Sequence, residues 1–441
     1  MPPAASLSLP PSGLRRVLGN LAHLLGGKAA AGVISLVYLV IVTHTLGARD
    51  YGVLILVNSY VVLVGSVVAF SGFHGVVRYG ALALTAGDTP DLARTVRFMA
   101  VVEFALGAVA VAVAALLVPL VGPRLGWTPD AMRLAIPYSL AVVATVRATP
   151  QGLLQVARRF DLIGLHQTLS PLVRLVGAVG VWVAGGGLTG FIIVWLAAAI
   201  VEGIAMWGLA LVAWRRLLPD ERLLGPWRGV PGRKPGFGRF ILITNFDLTL
   251  RELAPNLAPL TIGWLLGPAA AGLFALAQRA SSILQQPAVL LSQASYAVLA
   301  DFAAKREFKA LKHTVWRSAL LALAAGAVVV AVLAVLGGRF LTLLGGGSFV
   351  GGTALLVLVA LGRMAALASA PVAAGLTGLG LPQRSMAVAL LTNLGLYPLL
   401  PLLLWRLGVD GAGWHAALQG LIATAILALL FRRDVRRAKL A

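Results

Sequence analysis

Apolar runs of about 20 residues or more recur along the whole of this chain, and that is the length a helix needs to cross a bilayer core. Hydrophobic residues make up 59% of the sequence and the mean hydropathy is +0.92. Soluble domains are apolar over only about 45–50% of their residues. Inside hydrocarbon every backbone N–H and C=O needs an internal partner, so only helices and closed barrels span it. Barrel strands alternate inward and outward, whereas these runs are continuously apolar. The chain therefore reads as an all-α polytopic membrane protein. The runs predict twelve spans, at 18–46, 51–83, 95–121, 131–157, 162–184, 189–214, 237–265, 268–300, 314–344, 350–378, 385–405 and 412–431. Several exceed ~20 residues, so tilts or kinks are expected.

The basic residues orient these spans. The N-terminal segment and every second loop hold 23 Lys and Arg, and the opposite loops hold 5. This bias predicts cytoplasmic N- and C-termini. Trp127, Trp264, Trp405 and Trp414 fall near one set of span ends, and Trp214 and Trp316 near the other, as an aromatic belt requires. The formal net charge of +21 is thus mostly a topology signal, and nucleic acid is not an expected partner. No cleavable leader is apparent, because Arg15 and Arg16 lead straight into the first span. The chain has no cysteine, so thiol and disulfide chemistry are excluded.

The longest polar interval, 215–239, divides the spans six and six. It reads as a basic cytoplasmic connector that touches anionic lipid headgroups. The expected organisation is an N-terminal lobe over 1–214, this linker, and a C-terminal lobe over 240–441. A repeat supports the division: "LGARDYGV" at 46–53 and "LGPAAAGL" at 266–273 match at an offset of 220 residues. Spans 95–121 and 314–344 fall at nearly the same offset. Two six-helix lobes would then be related by a pseudo-two-fold axis along the membrane normal, with substrate between them.

The remaining charges lie within the spans. Eight are basic (Lys28, Arg78, Arg147, Arg174, Arg251, Arg279, Arg317 and Arg363) and four acidic (Glu103, Glu202, Asp247 and Glu252). A charge at the bilayer centre costs at least ~2.5–3.5 kcal/mol, so these residues are not expected to face lipid. Arg317 stands in the first turn of its span and can snorkel. Arg147, Arg174, Arg251, Arg279 and Arg363 lie deep in five different spans. Two readings compete. In one, ion pairs staple helices, with Asp247 and Arg251 on one helix face and Glu252 meeting Arg279 or Arg363. In the other, the surplus of bases lines a central cationic cavity that receives an anion. There Lys28, Arg78, Arg147, Arg174, Arg251, Arg279 and Arg363 are the candidate contacts to a diphosphate. Glu103, Glu202, Asp247 and Glu252 are the candidates for ion coupling or ion pairing.

Soluble-enzyme motifs are missing. There is no Walker lysine motif, no paired-cysteine metal site and no histidine cluster. "GLTGLG" at 375–380 follows no strand and reads as a helix end; "LLGGGSFVGG" at 343–352 reads as a turn. No catalytic residue, metal or cofactor is expected. The chain reads as a transporter and not an enzyme.

The stretch "VTHTLGARDYGVLILVNSYVVLVGSVVAFSGFHGVVRYGA" (42–81) resembles the polysaccharide-transport flippases of the multidrug/oligosaccharidyl-lipid/polysaccharide exporter superfamily. Leu46–Gly47, Tyr51–Gly52 and Arg78 stand in the positions of that family's pattern. "LGPAAAGLFALAQRASSILQQP" (266–287) and "TNLGLYPLLPLLLWRLGVDGAGWHAAL" (392–418) are also similar to it. The seventh span of such proteins often carries an acid near its middle, where Asn256 stands here. The resemblance implies alternating-access export of undecaprenyl-diphosphate-linked oligosaccharide across a bacterial inner membrane, for surface polysaccharide synthesis. The implied partners are that lipid-linked glycan, membrane lipids, a glycan polymerase and glycosyltransferases. Planar, bidentate arginines suit phosphate oxygens. The alternatives are a drug/cation antiporter of the same superfamily, a lipid II flippase and a non-transporting membrane scaffold. A surplus of intramembrane bases argues against a cation carrier.

Overall fold

The computed structural model describes the backbone of residues 11–282, 298, 299 and 301–440, and their side chains from 31 onward apart from 143, 145, 439 and 440. Among the described residues every regular element is helical. The order is α1 Pro11–Val68, α2 Thr89–Val121, α3 Pro129–Tyr138, α4 Ala148–Val156, α5 Phe160–Val183, α6 Leu188–Leu217, α7 Phe237–Leu266, α8 Pro268–Ser281, α9 Phe308–Gly345, α10 Thr353–Gly378, α11 Pro382–Leu390, α12 Leu399–Leu407 and α13 Asp410–Leu440. Short helical pieces fill 73–85, 139–145, 347–352 and 391–395.

Seven of the described helical stretches are long and apolar enough to cross a membrane, or eight if the pair at 382–407, bent by 46°, is one span. The twelve expected segments are nevertheless mainly helical where they are described, with breaks at 69–72, 146–147 and 396–398. Four features separate the counts. α1 holds the first span and part of the second, which meet at Gly47 with φ 66° and ψ −178°. The fourth span is broken into α3, a 3₁₀ stretch at 139–145, and α4. α7 carries Arg239, Asp247, Arg251 and Glu252, too many charges for an ordinary lipid-facing helix. The eighth span is α8 as far as Ser281; its continuation over 283–297 lies outside the described residues. "GLTGLG" does end a helix, with Gly380 at φ 79°, and "LLGGGSFVGG" does turn, with Gly346 at φ 79°.

The chain forms two compact units. The first is Met1–Ile41, Val61–Pro119 and Met132–Thr249, and the second is Val42–Tyr60, Leu120–Ala131 and Leu250–Ala441. In the first unit, Val76, Tyr79, Leu92, Met99, Trp214 and Phe237 share one core. α1 ends at Val68, and the second span is broken over 69–72 before helix resumes at Phe73. Asn245 of α7 holds this break: the Ser71 N–H donates to Asn245 Oδ1 at 2.7 Å, and Asn245 Nδ2 donates to the Ser71 carbonyl at 3.2 Å. Thr249 adds a bond to the Ser66 carbonyl at 2.9 Å. These bonds satisfy backbone groups that a break in a helix would otherwise orphan.

The 215–239 linker lies within the first unit and folds onto the start of α2. Arg97 Nη2 lies 2.9 Å from Glu221, and its Nε donates to the Leu223 carbonyl at 3.2 Å. Lys234 lies 2.7 Å from Asp91 and donates to Thr95 at 2.7 Å. The Arg97 guanidinium also lies 5.4 Å from the Trp214 ring centre. Sequence reading counts Arg97 among the loop charges; in the structure it is only 8% exposed and ties the linker to α2.

In the second unit the 220-residue repeat becomes a contact. Gly47 and Gly267 share an unusual backbone, φ 66° with ψ −178° and φ 86° with ψ 174°. One turn on, a side chain on Gly52 would strike the Pro268 backbone, and one on Gly272 would strike the Ala48 backbone. The two copies cross reciprocally, each glycine admitting the other copy's carbonyl. α10 and α13 also pack closely, with the backbone of Ala416 against Gly362 and that of Gly362 against Gly420. Small residues permit such approaches between membrane helices.

Candidate functional site

The densest buried polar cluster carrying predicted residues sits in the first unit, where the fourth span breaks. A helix that starts inside the membrane presents N–H groups with no intrahelical acceptor. α4 starts at Ala148, after Arg147 at φ −137° and ψ 2°. Glu103, fully buried on α2, accepts from the Ala148 N–H at 2.7 Å and from the Thr149 N–H at 2.8 Å. A carboxylate at a helix N-terminus is also favoured by the aligned peptide dipoles. On the other side of the break the Val146 carbonyl accepts from Trp207 Nε1 at 2.8 Å. Phe104 stacks on Trp207 with ring centres 4.8 Å apart.

Arg147 forms an ion pair with Glu202 of α6. His166 Nε2 lies 2.8 Å from the Glu202 backbone carbonyl, tying α5 to the same turn. Arg174, further along α5, lies with its guanidinium 4.3 Å from the Trp195 ring centre. Its Nε is buried without a hydrogen-bond partner among the described residues. A half-buried arginine on an aromatic face retains donors for an anionic guest.

The other predicted residues differ in exposure. The side chain of Lys28, on α1, lies outside the described residues. Arg78 is exposed, 4.4 Å from the Phe240 ring centre. Asp247 is half-buried and Arg251 exposed on α7. Arg279 is exposed in the last turn of α8, and Glu252 is exposed on α7. Among the described residues Glu252 makes no ion pair with Arg279 or Arg363, against one of the expected staples. Arg363 is half-buried on α10 and has no ion-pair partner among the described residues.

Of the candidates, then, the structure joins Arg147 with Glu202 and places Glu103 beside the same break. Sequence reading missed His166, Trp207, Asn245 and Thr249. Asn245 could have been flagged as an amide deep in an apolar run, where a side-chain amide needs a partner.

No protein-family model matches the chain. The chain is 27% identical over 283 residues to "Inner membrane protein YghQ" of Escherichia coli (strain K12), covering 64% of this chain and 79% of that protein. Among solved structures it is similar to the inward-facing conformation of a multidrug resistance MATE family transporter of the MOP superfamily. That likeness has a TM-score of 0.72 at 14% identity and covers 93% of this chain and 96% of the other. It is also similar to the bent form of the Vibrio cholerae MATE transporter VcmN, with a TM-score of 0.54 at 16% identity over 97% and 98% of the two chains. The eukaryotic MATE transporter AtDTX14 gives 0.52 at 16% identity, over 97% and 98%. The fold is that of the MATE transporters, the all-helical, multi-span class expected from the sequence.

Proposed function

We propose that this protein is a transporter of the bacterial inner membrane that moves an amphipathic solute by alternating access. The observation that carries this reading is the MATE fold along 93% of the chain. That neighbour is a multidrug resistance transporter, which makes a drug or organic cation the first cargo class, carried by antiport. The inner-membrane relative supports the location.

A second reading rests on the charges themselves. An antiporter of cations works through a carboxylate that can be released to cargo or proton. Of the four acids within the spans, Glu103 is committed to two backbone N–H groups and Glu202 to Arg147, and Asp247 and Glu252 lie on α7; Arg174 and Arg363 have no acidic partner among the described residues. That balance suits an anionic headgroup, such as the diphosphate of an undecaprenyl-linked oligosaccharide. Glycosyltransferases and a glycan polymerase would then be its partners.

Expression in a strain stripped of its drug exporters separates the two. Lowered ethidium accumulation and raised drug resistance are the outcome for the antiporter. For the second reading, deletion in the native host removes surface glycan and leaves drug sensitivity unchanged. In that case Arg174→Ala or Arg363→Ala abolishes glycan export while the protein still reaches the membrane. Normal export by both single variants and by the double variant rules out the anionic cargo.

A further inference from the structure

The start of α9 carries a second charged feature, far along the chain from the cluster described above. A cavity of about 660 Å³ opens there, and its lining changes character along the helix. Lys309, Lys312 and His313 come first, then Trp316 and Arg317, then Leu320 and Leu321. All but Trp316 are exposed, the two leucines by 62% and 65%. Lys309 to Leu321 spans roughly 18 Å of helix rise, comparable with a phospholipid headgroup, its glycerol and the start of its chains. Arg432 of α13 brings another permanent positive charge, its guanidinium 4.8 Å from the Trp316 ring centre. Among the described residues no carboxylate lines the cavity. The nearby Asp434 is engaged elsewhere, 3.1 Å from Arg384 and 3.9 Å from Arg433.

The first copy of the repeat supplies a contrast. At the offset of 220 residues, Trp316, Arg317, Leu320 and Leu321 stand where Val96, Arg97, Ala100 and Val101 stand in that copy. Those four residues also line a cavity, of about 890 Å³. There the chain itself supplies the anion, Glu221, and a carbonyl, Leu223, to the arginine. At Arg317 the described chain supplies neither.

We propose that the cavity at the start of α9 is a binding site for an anionic phospholipid of the surrounding membrane. Its phosphate is held by Lys309, Lys312 and Arg317, its glycerol region rests against Trp316, and its chains run along Leu320 and Leu321. Lysines act as point charges and arginine as a fork for phosphate oxygens, while an indole suits the boundary between headgroup and hydrocarbon. Basic pockets next to apolar helix faces bind anionic headgroups on these terms.

The test uses the full chain, delipidated in detergent and titrated with phosphatidylglycerol or phosphatidylcholine, with retained lipid counted by native mass spectrometry. The wild type should retain phosphatidylglycerol in preference to phosphatidylcholine. The triple variant Lys309→Ala, Lys312→Ala, Arg317→Ala should bind phosphatidylglycerol on the order of a hundredfold more weakly, with phosphatidylcholine unchanged. If the triple variant does not fold, Lys309→Gln with Lys312→Gln, which keeps Arg317, shows a smaller loss of about thirtyfold. Equal retention of the two lipids, or unchanged phosphatidylglycerol affinity in the folded variant, overturns the proposal. So does full displacement of the lipid by millimolar inorganic phosphate, which would mark a site for free anions.

Discussion

Arg97 and Arg317 occupy one position of the repeat and live in opposite circumstances. Arg97 is 8% exposed, paired with Glu221, capped by the Leu223 carbonyl and set against Trp214. Arg317 is exposed at the rim of a basic cavity. The difference comes from the segment that succeeds the first copy. There the chain continues into the 215–239 linker, which folds back and seals α2. The same helix position therefore becomes a structural joint in one copy and an accessible charge in the other. A residue's role in a duplicated fold is set by the segment laid over it, not by its place in the repeat.

The largest expected effect breaks the first half of this comparison. Glu221→Ala leaves the buried Arg97 charge uncompensated and should cost about 3–5 kcal/mol, read as a fall in unfolding temperature in detergent. Arg97→Met with Glu221→Leu should recover most of that loss, because removing both charges also removes their desolvation cost. If Glu221→Ala unfolds like the wild type, the linker is not a joint. A smaller effect probes the repeat beneath the comparison. Gly52→Ala and Gly272→Ala each drive a Cβ into the other copy's backbone. Each should cost about 1–3 kcal/mol by overpacking, and by similar amounts. Well-separated costs from the two variants would show that the crossing is not reciprocal. The smallest effect belongs to Arg317→Ala, an exposed position, where the change in unfolding free energy should stay within about 0.5 kcal/mol. A loss as large as that of Glu221→Ala would erase the contrast.

Much of the fold was legible because bilayer chemistry leaves few choices. Long apolar runs must be helical where lipid surrounds them. The glycines at 47, 52, 267 and 272 showed in the sequence as a repeat, since a close crossing tolerates no side chain. The charged cluster was legible only in part. Its members are rare charges in apolar runs and stand out one by one, but their partners come from other helices. Arg147 and Glu202 are 55 residues apart, and Glu103 caps a helix that begins 45 residues later. In the stretch "NFDLTLRELAPN" the conspicuous residues are Asp247, Arg251 and Glu252. The uncharged Asn245 and Thr249 of the same stretch bind carbonyls or an N–H at 66–71, around the break in the second span.

By itself the sequence determined a helical, many-span membrane chain with a doubled plan, because hydropathy and small-residue spacing act locally along the chain. Only the tertiary structure decided where the fourth span breaks, which charges are spent on holding helices and which stay available. Those outcomes depend on whether a donor or acceptor from a distant segment arrives within hydrogen-bond reach. For a charge in a low-dielectric interior, that arrival separates a structural joint from a binding group.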